Sequence, residues 1–468
     1  MTATRRSAAT VALGTAVEGY DWVTFLALLP YLTKGPLAGV SSPFTTGFVI
    51  FALGFAARPV GALVFGRLAD RVGRSYAFRA ALAVSTVTTG AMAFIPSGLH
   101  PSWLAPLLIL VLRMALGAAH GGLAGVVNAS IYEIRDVMSW EPSVLVYAMG
   151  AAGKVLSLIV TLVMASALTT DQMIDFGWRV PYLVGGVGGV ALLVYSLGWY
   201  AGVGSSDART GARNSDVPDA EPAVARGWLW RRMAVVAGLS VGTTAAYNIW
   251  IAAVIPYATE ALGVQPRVMF WVSLVQTCAF AVIVVGTSRL IRRWSLHMVY
   301  RRAAIAGLVV SPAVLALTAP SGGLGTYVAG LAIATVILAI LCAALPGVLA
   351  SLFPADVRAV GNGVPYAVIV ALVGGTAPGL RDVLADRYWV FGVYLVALCA
   401  VSAIVARRTT PHSLQPREQR VVSSAYAAPC RHHRAARHCD HGHRDPADAG
   451  CARFAAPCRD PEVDRRPA

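Results

Sequence analysis

Runs of about 20 apolar residues recur along this chain of 468 residues, and no other feature limits its fold as severely. At 1.5 Å rise per residue, one such run spans the roughly 30 Å of a bilayer's hydrocarbon. In that medium every backbone N–H and C=O must find a partner within the chain, which leaves helices or closed barrels. The runs are too long and too uniformly apolar for barrel strands, so the fold class read from them is an all-α membrane protein. Twelve runs can be counted, at residues 8–32, 44–68, 76–95, 103–132, 143–168 and 180–200, then 229–258, 268–290, 299–317, 324–350, 357–378 and 388–405.

Composition agrees with lipid as the main solvent. The chain is 57% hydrophobic and 13% charged, too little charge to cover a soluble protein of this length. Its net charge of +15 comes almost wholly from arginine, Lys34 and Lys154 being the only lysines. The arginines gather in alternate loops, whereas the opposite loops hold Asp171, Asp175, Glu260, Asp382 and Asp386. That asymmetry reads as topology with both termini cytoplasmic, not as a nucleic-acid surface. Arg5 and Arg6 precede a first run that Glu18 and Asp21 interrupt, so the run is read as a retained helix rather than a signal peptide. Cys278, Cys342 and Cys399 stand singly in apolar runs and imply no disulfide framework.

The expected organisation is two six-helix bundles, 1–201 and 227–407, joined by a Gly/Ser/Asp/Pro-rich linker at 202–226. A tail at 408–468 follows, rich in Arg, His, Ala and Pro; its Cys and His residues match no zinc-finger spacing, and it is read as disordered. No cofactor or metal site is expected, and a monomer is the expected state.

Between the second and third runs lies Gly66-Arg67-Leu68-Ala69-Asp70-Arg71-Val72-Gly73-Arg74. This stretch resembles the loop of the major facilitator superfamily between its second and third helices. Gly54-Phe55-Ala56-Ala57-Arg58-Pro59-Val60-Gly61 narrows the likeness to the metabolite:proton symporter branch, as do Gly14-Thr15 with Glu18, Tyr20 and Asp21, and Gly177-Trp178-Arg179-Val180-Pro181-Tyr182. Leu352-Phe353-Pro354 with Val357, Arg358, Gly361 and Tyr366 continues the series. Gly286-Thr287-Ser288-Arg289-Leu290-Ile291-Arg292-Arg293 resembles a degraded copy of the first loop, which supports a repeat of six plus six. The resemblance implies twelve helices in two pseudo-symmetric bundles, alternating access, and substrates such as shikimate, citrate, dicarboxylates, 2-oxoglutarate, proline or betaine, moved with protons. It also implies a cytoplasmic gate built from Gly66, Asp70, Arg71, Gly73 and Arg74, to which the charges Arg58, Glu133 and Arg358 are added. The family's Gly-Gly-Glu is replaced here by Gly121-Gly122-Leu123.

Ionisable groups in hydrocarbon cost about 2.5–3.5 kcal/mol on insertion scales, so each marks a candidate site. Glu18, Asp21, Arg113 and Lys154 all fall near the middle of their runs. The cations are read as substrate-binding, and Glu18 or Asp21 as the proton carrier; simple mutual pairing is the competing reading. His120 is a second proton-carrier candidate, since imidazole titrates near neutrality. The second half offers neutral groups, Tyr247, Asn248, Gln276, Asn362 and Tyr366, and no charge at comparable depth. The function read from all this is proton-coupled uptake of a small organic acid or zwitterion. Proton-exchanging efflux of an amphipathic compound, or a non-transporting sensor, stays open as the alternative, and no nucleophile-base pair suggests an enzyme.

Overall fold

The computed structural model describes residues 3–98, 100–133, 142–197, 226–353 and 358–409. The linker at 202–226 lies outside them except for Arg226, as does the tail beyond Thr409. Among the described residues the regular structure is helical throughout, as backbone in hydrocarbon requires. The first half contains α1 (Ala3–Leu32), α2 (Pro43–Ala56), α3 (Arg58–Val72), α4 (Arg74–Met92), α5 (Leu104–Glu133), α6 (Pro142–Ala167) and α7 (Arg179–Leu197). The second contains α8 (Arg226–Tyr247), α9 (Val254–Ala261), α10 (Pro266–Trp294), α11 (Leu296–Leu317), α12 (Leu324–Ala350), α13 (Arg358–Ile369), α14 (Ala377–Val383) and α15 (Tyr388–Arg408).

Ten helical segments among the described residues are long and apolar enough to cross a membrane. The first and third expected runs also fold as helices, α1 and α4. Valines on the outer faces stay uncovered, such as Val187 and Val194 on α7 and Val275 and Val282 on α10. Residues seven apart on a helix share a face, so these stripes are the lipid-facing sides.

The second expected run is broken at Ala57, because Pro59 supplies no N–H and its ring crowds the preceding turn. Two other runs contain π-helical turns, Asn248–Ala252 between α8 and α9 and Val370–Gly374 after α13. Packing repeats in order between the halves. In the first, α1 meets α6 and α7, α5 meets α3 and α4, and α4 meets α7; in the second, α8 meets α13 and α15, α12 meets α10 and α11, and α11 meets α15. The result is the two pseudo-symmetric bundles of the expected fold.

Glycines set the tightest of these seams. A Cβ at Gly153 would run into the carbonyl of Ala16, and one at Gly19 into that of Gly150, so α1 and α6 touch backbone to backbone. Gly61, Gly117 and Gly121 do the same for the seam of α5 with α2 and α3. Gly153→Ala is therefore expected to cost about 1–3 kcal/mol in detergent melting experiments. Gly188→Ala, whose added carbon meets nothing within 4 Å, should leave the midpoint unchanged or raised. Equal losses in both variants would refute the close-packed seam.

The charged loop and its copy share a backbone conformation. Gly73 joins α3 to α4 at φ 111°, ψ 148°, and Ser295 joins α10 to α11 at φ 74°, ψ 148°. That region suits glycine and strains other residues by roughly 1–3 kcal/mol. The repeat has thus kept the turn while losing the glycine that makes it easy. Ser295→Gly should raise stability by about 1 kcal/mol, read as a higher melting midpoint; an unchanged midpoint would show the turn to be unstrained.

Candidate functional site

A cavity of about 180 Å³ lies between the two halves, walled by α1, the α2–α3 junction, α5 and α6 on one side and by α8, α12 and α13 with its π turn on the other. Among the described residues three charged side chains line it: Glu18, Arg58 and Lys154. Arg58 Nη1 donates to Glu18 Oε1 at 3.2 Å, and the guanidinium carbon lies 4.4 Å from the centre of the Phe55 ring. Lys154 has no carboxylate within ion-pair distance among the described residues. Its Nζ instead faces three rings, at 4.6 Å from the centre of Tyr247, 5.0 Å from Trp22 and 6.0 Å from Phe280. Those rings pack on one another, Trp22 to Tyr247 at 5.5 Å and Tyr247 to Phe280 edge-on at 5.9 Å. Cation–π attraction is strongest where water is excluded, and Lys154 is buried.

Helical spacing puts these groups in the cavity. Tyr147, Gly150 and Lys154 follow one another at three and four residues, hence on one face of α6. Glu18 and Trp22 are one turn apart on α1, and the glycine seam brings the two faces together. Across the cavity stand Thr244, Tyr247, Asn248, Asn362 and Tyr366, with Cys342 close to Tyr147 and Lys154. Asn248 Nδ2 donates to the Thr244 carbonyl at 2.9 Å, which leaves its Oδ1 without a partner among the described residues.

A second buried cluster sits on the other side of α1. Ser85 Oγ donates to Asp21 Oδ2 at 3.1 Å, His120 Nε2 lies 3.4 Å from that same oxygen, and Ser85 Oγ is 3.3 Å from His120 Nε2. Asp21 and His120 are each 2% exposed, and Asp21 Oδ1 has no hydrogen-bond partner among the described residues. Arg113 belongs to this side: its guanidinium covers the Phe25 ring at 4.3 Å, within electrostatic reach of Asp21 and Tyr182, and it does not line the cavity.

The four central charges therefore form two groups instead of one. Glu18 and Lys154 belong to the cavity, Asp21 and Arg113 to the buried cluster with His120. Gln276 lies away from the cavity lining, its Nε2 donating to the Trp250 carbonyl at 2.7 Å and to Thr335 Oγ1 at 3.0 Å. Trp250 sits in a π turn, whose irregular ladder leaves carbonyls in need of donors. Of the gate candidates, Arg58 is drawn into the cavity by Glu18. Gly66 and Arg71 lie in α3, and Gly73 forms the turn after it. Asp70, Arg74, Glu133 and Arg358 lie on helices, but their side chains fall outside the described residues.

Sequence reasoning missed Trp22, Tyr147 and Phe280, although the spacing of Tyr147 and Lys154 on α6 was there to be read. It also overlooked a cation in the second half. Arg381 on α14 is 1% exposed, donates from Nη2 to the Thr318 carbonyl at 2.9 Å, and lies over the Tyr257 ring at 3.1 Å. Its place near the end of an apolar run made it look like a loop residue. Among the described residues no group of three His, Cys, Asp or Glu side chains is placed to hold a metal.

Comparison with known proteins bears on the family and the fold. The family model of the Major Facilitator Superfamily matches residues 11–378. The alpha-ketoglutarate permease of Escherichia coli is 25% identical over 84% of this chain and 92% of its own length. The ectoine/proline transporter ProP of Corynebacterium glutamicum is 24% identical over 86% of this chain and 83% of its own, and the E. coli shikimate transporter 23% over 86% and 93%. Among solved structures, a D-xylose-proton symporter superposes with a TM-score of 0.65 over 88% of this chain and 98% of its own at 14% identity, which shows a shared fold. The chain belongs to the Major Facilitator Superfamily, as a multi-pass membrane protein of a family of transporters rather than enzymes.

Proposed function

We propose that this chain is a symporter that carries a small organic acid inward with protons, binding substrate in the Lys154 cavity and the proton at Asp21 and His120. The observation that carries the reading is the division of labour on α1. Glu18 and Asp21, three residues apart, face different clusters, one lining the cavity and one sealed against a histidine. A substrate that moves α1 thereby disturbs the proton site without touching it, which is the physical content of coupling. Asp21 and His120 both change charge on protonation, and both sit where an unpaired charge is costly.

The relatives named for an organic acid and for ectoine and proline are nearly equally similar, at 25% and 24%, so identity does not choose between substrate classes. The three charges lining the cavity favour an ionic substrate over the amphipathic cargo of an efflux pump. Within the cavity, Tyr247, Asn248, Asn362 and Tyr366 are the neutral groups suited to substrate oxygens. The arginine distribution supports cytoplasmic termini in the plasma membrane, and the α3–α4 turn supports a gate in which Asp70 meets arginines of neighbouring helices.

In proteoliposomes with an inward proton gradient, wild-type protein should accumulate a labelled carboxylate from a panel of mono-, di- and tricarboxylates. Asp21→Asn should lower gradient-driven accumulation about tenfold or more while preserving exchange of substrate at equal concentrations, as expected when a coupling free energy is lost and binding is kept. Loss of exchange and accumulation together would place Asp21 in the substrate site and overturn the division.

A further inference from the structure

We infer that Lys154 fixes the charge class of the substrate, because its ammonium occupies an aromatic cage that would otherwise receive a substrate's own cationic group; this deepens the symport reading and rests on it. The cage has walls from three helices: Trp22 on α1, Tyr247 on α8 and Phe280 on α10. Its rings are locked by mutual packing, so it is a formed receptor and not an accident of one side chain. Rings arranged around a point in this way attract ammonium and quaternary ammonium groups. Here the point is taken by the chain itself, by Lys154 from α6, on the same side of the cavity as Trp22.

Charge counting gives the consequence. Glu18 is matched by Arg58 at 3.2 Å, whereas Lys154 has rings but no carboxylate within ion-pair distance among the described residues. The described lining thus carries one positive charge in excess. A betaine-like zwitterion entering the cavity would bring its cation to a filled cage and set it beside Lys154, like against like. A carboxylate with no fixed positive charge meets the ammonium directly and leaves the cage undisturbed. Lys154 therefore both attracts the anion and excludes the zwitterion, as specificity built on repulsion requires. The substrate class that fits is a carboxylate of net negative charge.

The test is equilibrium binding of glycine betaine to the full-length protein in detergent, with melting curves to verify folding. Wild type should show no saturable betaine binding. Lys154→Ala should vacate the cage and bind betaine at least about tenfold more tightly, and adding Trp22→Ala should remove the gain. Lys154→Ser serves as a second vacating variant should the alanine form fail to fold, and Lys154→Arg should keep betaine excluded. Betaine binding by wild type within threefold of either vacated variant, or no gain in a folded vacated variant, would overturn the inference. Failure of proton-driven carboxylate uptake by wild type, with the betaine results as expected, would instead count against the symport reading alone.

Discussion

A charge in hydrocarbon must be paired, caged or neutralised, and the interior of this protein is arranged around how each of its charges is treated. Glu18 and Arg58 are paired, with both side chains largely covered. Lys154 is caged by rings. Asp21 is set against a histidine and a serine hydroxyl with one oxygen left over. Among the described residues that line the cavity, Lys154 is the charged group without a carboxylate partner, whereas Asp21 and His120 lie outside that lining. The functional reading follows from that difference in treatment.

Those treatments depend on backbone geometry. The α1–α6 seam has glycine on both sides, so two helices carrying Glu18, Asp21 and Lys154 come closer than ordinary side chains allow. Opposite them the π turns of the second half break the regular hydrogen-bond ladder beside Asn248 and Val370, both of which line the cavity. A regular seam on one wall and an adjustable one on the other suits a protein that must repack around its cargo. Near the far end of the second half, Arg381 ties α14 to the end of α11 through the Thr318 carbonyl.

Much of the architecture was legible in the chain's hydropathy, because span length and lipid-facing stripes are local properties of sequence. The charges inside the spans were legible for the same reason, since each is conspicuous in an apolar run. Their partnerships were not, because partnership depends on how each helix is rotated about its axis. Glu18 and Asp21 look like neighbours at a spacing of three, yet the rotation of α1 sends them to separate clusters. Gln276 read as a ligand group because its donor was visible while the π turn it satisfies was not. Arg381 lies just past the end of its expected run, and Tyr147 carries no charge to mark it in an apolar run, although it shares a face of α6 with Lys154.

The most direct test of the central claim is to follow protons when substrate alone is supplied. Proteoliposomes with equal pH inside and out would receive an unlabelled carboxylate that the protein takes up, while a dye reports external pH. The account predicts that the outside becomes more alkaline as substrate enters, and that a protonophore abolishes the pH change. Substrate entry with no proton movement would contradict it, since α1 would then carry two buried clusters with no exchange between them.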